Sequence, residues 1–165
     1  MSYIHFHNMK KILFVCLGNI CRSPGAEAVF NALIEKNGLE NDLQCDSAGT
    51  VAYHIGEPAD ARMRLMGIEQ GYNLTGRARR IDPNRDFDQF QTIIGMDRQN
   101  IRDLKGIARN KNERKQIFLM TDFCIHKTYD SVPDPYFGGD AGFELVFDIL
   151  EDACEGLLRK IQNNL

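Results

Sequence analysis

The sequence predicts an α/β fold in a single domain: a central four-stranded parallel sheet flanked by helices on both faces, of the Rossmann-like or flavodoxin-like kind. Two observations carry this. Runs that are apolar at every position, such as Ile12-Leu13-Phe14-Val15, are typical of strands buried on both faces. These runs alternate with stretches whose apolar residues recur at helical spacing, and such alternation implies parallel strands joined by crossover helices. The length of 165 residues suits one domain with its own core.

In chain order, residues 10–15 form the first strand. Pro24 suits the first position of a helix and Ser23 its N-cap. Ala26, Val29, Phe30, Leu33 and Ile34 mark one helical face, and Gly38 is a natural stop. Residues 43–48 are a weaker second strand, followed by a loop through Gly49 and Gly56. Pro58 opens a second helix with Ala61, Leu65 and Ile68 on one face. Residues 71–86 are basic and irregular, with Arg77, Arg79, Arg80 and Arg85. Residues 90–96 are the third strand, after which Asp97 caps a helix carrying Ile101, Leu104 and Ile107. Residues 116–120 are the fourth strand. After a long loop, the last helix shows a wide apolar face that includes Phe143, Val146, Phe147, Leu150, Cys154, Leu157 and Ile161. Ligands on such sheets bind beyond the carboxyl ends of the strands, where the loops after Val15, around Ser47, after Met96 and around Asp134 all belong.

Composition works by exclusion. With 43% hydrophobic and 26% charged residues and a net charge of -3, the chain has no basic surplus for nucleic acid. No apolar run approaches the ~18 residues of a membrane span. Residues 1–9 lack the apolar core of a signal peptide and read as a flexible extension ahead of the domain at 10–165. His5 and His7 have no third ligand nearby, so no metal is expected there. Five cysteines with no C-x-x-C pair point to free thiols in a reducing cytoplasm.

The chemistry centres on Val15-Cys16-Leu17-Gly18-Asn19-Ile20-Cys21-Arg22-Ser23-Pro24. A strand, a short loop and a helix N-terminus form an anion site, because backbone N–H groups and the helix dipole converge on one spot. A phosphate held in this loop, at Leu17, Gly18, Asn19, Ile20, Cys21 and Ser23, would be gripped by Arg22 and attacked by Cys16. The thiolate is the reactive form, and amide dipoles and a nearby guanidinium favour it. The planar arginine fork meets two phosphate oxygens at once. Among the five cysteines only Cys16 has an arginine six positions on; the others have Glu27, Val51, Asp130 and Lys160. Gly18 and Asn19 reach the left-handed backbone that an inward-turned loop needs. The Ser23 hydroxyl can donate to the thiolate after phosphate leaves. Far downstream, Pro133-Asp134-Pro135 offers a carboxyl able to protonate a leaving oxygen and then activate water. The tripeptide alone reads more readily as a turn aspartate.

Together, Cys16-Leu17-Gly18-Asn19-Ile20-Cys21-Arg22-Ser23-Pro24 and Asp134-Pro135-Tyr136 resemble the low-molecular-weight protein tyrosine phosphatases, over nearly all of the chain after Met9. Asp46-Ser47-Ala48-Gly49-Thr50 and Met96-Asp97 belong to the same resemblance. It implies hydrolysis of phosphotyrosine in proteins and of small aryl phosphates, with no metal or organic cofactor. Cys16 would be the nucleophile, Arg22 the phosphate binder, and Asp134 the general acid and then base. Asn19 would hold the loop by bonding to Ser47. Tyr53 and Tyr136 match positions flanking the pocket, where aromatic walls would sandwich a tyrosine ring. Cys21, close to Cys16, would form a reversible disulfide with it under oxidation. Asp97 would either orient the phosphate loop or cap its own helix. The chain departs from many animal members in having no histidine in Thr75-Gly76-Arg77, and it carries Phe137 where some have a second tyrosine.

Two rival functions use the same loop. A thiol-dependent arsenate reductase would need resolving cysteines in a flexible segment, and residues 71–90 hold none. A non-catalytic phosphate-binding module would not need Asp134.

Overall fold

The structure is a computed structural model that describes residues 8–164. Strands β1 (Lys10–Cys16), β2 (Leu43–Gly49), β3 (Thr92–Gly95) and β4 (Ile117–Leu119) pair in parallel in the order β2-β1-β3-β4. The fold class expected from the sequence is the one observed. Phe14 of β1 sits beside Ser47 of β2 on one side and Ile94 of β3 on the other. The order of winding reverses between β1 and β3, which opens a crevice at the carboxyl edge of the sheet. The loop after β1 lies there.

Among the described residues six α-helices accompany the sheet: α1 (Arg22–Lys36), α2 (Ala61–Gln70), α3 (Pro83–Gln89), α4 (Arg98–Ile107), the single turn α5 (Lys111–Arg114) and α6 (Gly139–Asn163). Successive strand side chains point to opposite faces. Ile12, Phe14 and Cys16 therefore join the core built with α1 and α6, while Leu13 and Val15 join Phe87, Phe90 and Leu104 on the other face. Burial on both faces is why β1 has no polar alternation.

The structure corrects several local expectations. Helix α1 starts at Arg22, with Cys21 at the N-cap making no side-chain cap bond. Ser23 is inside the first turn because its hydroxyl is engaged by the loop and strand instead. Helix α2 starts at Ala61 rather than Pro58, with the Asp60 side chain accepting from Arg62 N. Its buried residues are Met63 and Gly67, while Leu65 and Ile68 are each 64% exposed. Residues 71–86 are not wholly irregular, for α3 begins in them, capped by Asp82 with Pro83 in its first turn. β3 and β4 are shorter than expected, and Met120 opens a 3-10 turn (Met120–Phe123). The expectations for residues 1–7, His5 and His7 among them, fall outside the described residues. Among the described residues no helix is long and apolar enough to cross a membrane.

Candidate active site

The loop between β1 and α1 is held from outside by its carbonyls. Cys16 O accepts from Thr50 N at 3.0 Å, Leu17 O from Val51 N at 3.1 Å, and Ile20 O from Asp60 N at 2.8 Å. A trans peptide points its C=O and N–H in opposite directions. The amides of Leu17, Gly18 and Cys21 are thereby turned away from these partners, toward the loop interior. Gly49 allows the close approach: a Cβ there would lie 2.7 Å from Leu17 O.

Asn19 fixes the turn. Its φ of 56° is the one positive value of a non-glycine among the described residues, and asparagine tolerates that conformation better than most. The side chain is fully used. Nδ2 donates to Ser23 Oγ at 2.8 Å and Ser47 Oγ at 2.9 Å, and Oδ1 accepts from Arg79 N at 3.0 Å. Ser47 Oγ in turn donates to Glu27 Oε2 at 2.6 Å. Burial pushes the Glu27 carboxyl up; the Ser47 bond works against this and Asp46 adds to it.

Cys16 Sγ lies 3.0 Å from Ser23 Oγ. Arg22 is only 4% exposed, and its Nη1 donates to Asp97 Oδ2 at 2.6 Å and to Val132 O at 3.1 Å. Nε and Nη2 have no protein partner among the described residues, which leaves one arm of the fork for an anion. Asp97 Oδ2 accepts from Arg22 Nη1, and its Oδ1 accepts from Asn100 N as the cap of α4.

The downstream loop closes the site. Val132 N donates to Met96 O at 2.9 Å. Asp134 Oδ1 accepts from Tyr136 N at 3.0 Å, capping the short turn Pro135–Phe137. Cys16, Leu17, Gly18, Ile20, Cys21, Arg22, Tyr53, Asp134 and Tyr136 line a cavity of about 150 Å³, while Asn19, Ser23, Ser47 and Asp97 support it from behind. This is below the ~300 Å³ of clefts that take a whole small ligand, so it fits the end of a larger substrate. Tyr53, 78% exposed, and Tyr136, 55% exposed, stand at the mouth.

Three features escaped the sequence reading. His54 also lines the cavity, its Nδ1 2.8 Å from Glu57 Oε2. Asp60 and Arg62 join the loop to the Asp134 segment. Asp60 carries a local signal as the N-cap of α2, but the bonds from Asp60 to Ile20 and from Arg62 to Tyr136 join residues far apart in sequence. Cys21 is buried, and this pushes its thiol up to about 12, with Asp60, Cys16 and Asp134 adding to the effect. Among the described residues, no group of three or more His, Cys, Asp or Glu is placed to hold a metal ion.

Residues 11–165 match the family of low molecular weight phosphotyrosine protein phosphatases. A protein tyrosine phosphatase from Entamoeba histolytica, solved with Hepes in its active site, is 46% identical with a TM-score of 0.91, covering 94% of this chain and 98% of that one. YfkJ from Bacillus subtilis, a low molecular weight protein-tyrosine-phosphatase, is 41% identical with a TM-score of 0.88, covering 94% and 96%. The human low molecular weight phosphotyrosine protein phosphatase is 39% identical over 152 residues, 92% of this chain and 95% of that one. On this similarity over nearly its whole length, the chain belongs to the low molecular weight phosphotyrosine protein phosphatase family.

Proposed function

We propose that the protein hydrolyses phosphotyrosine in proteins, and small aryl phosphates, through a phosphocysteine on Cys16. The observation behind this is the convergence of Cys16, Arg22 and Asp134 on one cavity. In the first step the Cys16 thiolate attacks phosphorus; the S–P bond forms as the P–O bond to the aryl group breaks. Asp134 gives its proton to the departing oxygen and becomes a carboxylate. In the second step Asp134 takes a proton from water as the water oxygen attacks phosphorus. The P–S bond breaks, inorganic phosphate leaves and the thiolate returns. The free arm of Arg22 and the loop amides face the equatorial oxygens, where charge accumulates. Ser23 stabilises the returning thiolate.

Substrate choice follows from depth. A phenyl phosphate is long enough to reach a sulfur at the cavity floor, and Tyr53 and Tyr136 flank its ring. All steps use side chains and water alone. The unpaired cysteines suit a reducing compartment such as the cytoplasm. An arsenate reductase relay is disfavoured because Cys45 and Cys154 are buried and Cys124 is pushed up to about 11, mainly by burial.

Turnover of para-nitrophenyl phosphate by wild type, Cys16→Ser and Asp134→Ala tests the reading. We expect loss of activity in the first and a fall of about 10² to 10⁴ in the second, where hydrolysis of the phosphocysteine loses its base. Unchanged turnover by Cys16→Ser would end the phosphocysteine mechanism.

A further inference from the structure

We infer that Arg62 is a positioning residue for the acid loop, setting where Asp134 stands relative to the phosphate-binding loop. The inference rests on Asp134 being the proton donor.

The linkage can be followed atom by atom. Asp60 N donates to Ile20 O at 2.8 Å, which fixes the start of α2 to the phosphate-binding loop. The Asp60 carboxylate caps Arg62 N at 2.8 Å and holds the guanidinium through Nε at 3.3 Å and Nη2 at 3.2 Å. Burial pushes the Asp60 carboxyl up, but the Arg62 hydrogen bonds more than offset this and hold it low. The pair is therefore charged at neutral pH. From this anchor the guanidinium reaches across to the acid loop. Its carbon lies 5.2 Å from the Tyr136 ring centroid and 4.8 Å from that of Phe143, and Nη1 is 3.5 Å from Tyr136 O. Tyr136 N then donates to Asp134 Oδ1. Ile20, Asp60, Arg62, Tyr136 and Asp134 thus form one continuous connection between the two halves of the site.

Arginine suits this place better than lysine. A planar cation contacts two rings with its faces while its edge keeps the carboxylate, whereas an ammonium presents a single point of charge. An ordinary exposed ion pair contributes little to stability, and its loss would leave catalysis alone. Arg62 is not among the residues lining the cavity, so its effect must pass through the loop it holds. Arg22 and Met96 anchor the same loop at Val132. Arg62 is an anchor on the far side of Asp134.

The test is leaving-group dependence. A well-placed acid protonates the departing oxygen and makes the rate insensitive to leaving-group acidity. Arg62→Met keeps much of the side-chain bulk and removes the fork. We expect kcat/KM for phenyl phosphate to fall about tenfold, and that for para-nitrophenyl phosphate to change less than about twofold. Inhibition by inorganic phosphate should stay within about twofold, showing an intact phosphate-binding loop. Arg62→Lys should lie between, and it carries the comparison if the methionine variant melts early. In an Asp134→Ala background, Arg62→Met should add nothing, because the group it positions is gone. Equal loss on every leaving group, or loss that persists without Asp134, would overturn the role of Arg62. An Asp134→Ala profile as flat as wild type would instead overturn the proton-donor reading, and this inference with it.

Discussion

The Ser23 hydroxyl stands 3.0 Å from the Cys16 sulfur and also accepts a hydrogen bond from Asn19 Nδ2 at 2.8 Å. Its single proton has two acceptors within reach, the sulfur and Ala48 O at 3.3 Å, and a charged thiolate is the stronger of the two. This matters most when the P–S bond breaks and negative charge returns to Cys16. Removing a hydrogen bond to a charged group costs about 1.5–3 kcal/mol, or roughly 10- to 100-fold in rate. Ser23→Ala should therefore accumulate phosphocysteine and show a burst of para-nitrophenol before a slow steady state. A variant with wild-type turnover and no change in burst would remove Ser23 from the second step.

Arg22 and Asp97 form the partly buried ion pair that aims the guanidinium. Asp97→Ala removes the partner of Arg22 and the cap of α4 together, whereas Asp97→Asn keeps a cap, since asparagine serves as well there. Both variants should weaken inhibition by inorganic phosphate, while only the alanine variant should lose about 1 kcal/mol of stability through the lost cap. Phosphate inhibition unchanged in both would make Asp97 a helix cap and nothing more.

The α2 helix shows where sequence reading stops. Leu65 and Ile68 have the i, i+3 spacing of a buried face, yet both are largely exposed; Met63, at 0% exposure, is the residue that packs into the core. Spacing gives a helix its period but not its phase, and two apolar side chains are too few to fix it. In α3 the only apolar side chain is Phe87, so no period could form and the helix went unread. The β1 strand and the loop after it are legible because their logic is local: burial on both faces, then a turn at Asn19 and a helix start; Gly18, expected in the left-handed region with Asn19, is not in it. The partners of Asn19, by contrast, come from Ser47 and Arg79, which only the fold brings near. On these grounds Leu65→Gln and Ile68→Gln should each change stability by less than about 0.5 kcal/mol. Met63→Ala should cost about 2–5 kcal/mol in urea unfolding. A large loss from either glutamine variant would mean that a partner covers this face.

Glu27 supplies a pH prediction with a definite sign. Burial raises its carboxyl above the ordinary value of 4.5. The folded state thus favours the protonated form. That contribution is fully present below pH 4.5 and is lost as pH rises through the folded value. Glu27→Gln is neutral throughout and still offers Ser47 an acceptor. Its melting temperature relative to wild type should be about level in acid and should move upward toward neutral pH. A difference that stays constant from pH 4 to 8 would show that Glu27 ionises freely in the fold.

Cys21 gives the last prediction. If Cys16 is oxidised to a sulfenic acid, the Cys21 thiolate can attack its sulfur; the S–S bond forms and water leaves, taking the thiol proton. Burial first, then Asp60, Cys16 and Asp134, push the Cys21 thiol up to about 12. In the reduced enzyme its thiolate is therefore about one part in 10⁵ at pH 7; oxidation of Cys16 removes one of these charges, but burial keeps the thiol raised and its thiolate still increases tenfold with each pH unit. Closure of the bridge should be slow at neutral pH and should accelerate about tenfold per unit between pH 7 and 9. The experiment oxidises with one equivalent of peroxide, removes the remainder with catalase, and follows the bridge by mass spectrometry. Asp60→Asn keeps an N-cap on α2 but removes a negative charge near Cys21, so it should close faster than wild type at the same pH. A closure rate independent of pH, or a sulfenic acid on Cys16 that never bridges, would leave Cys21 as a packing residue at the N-cap of α1.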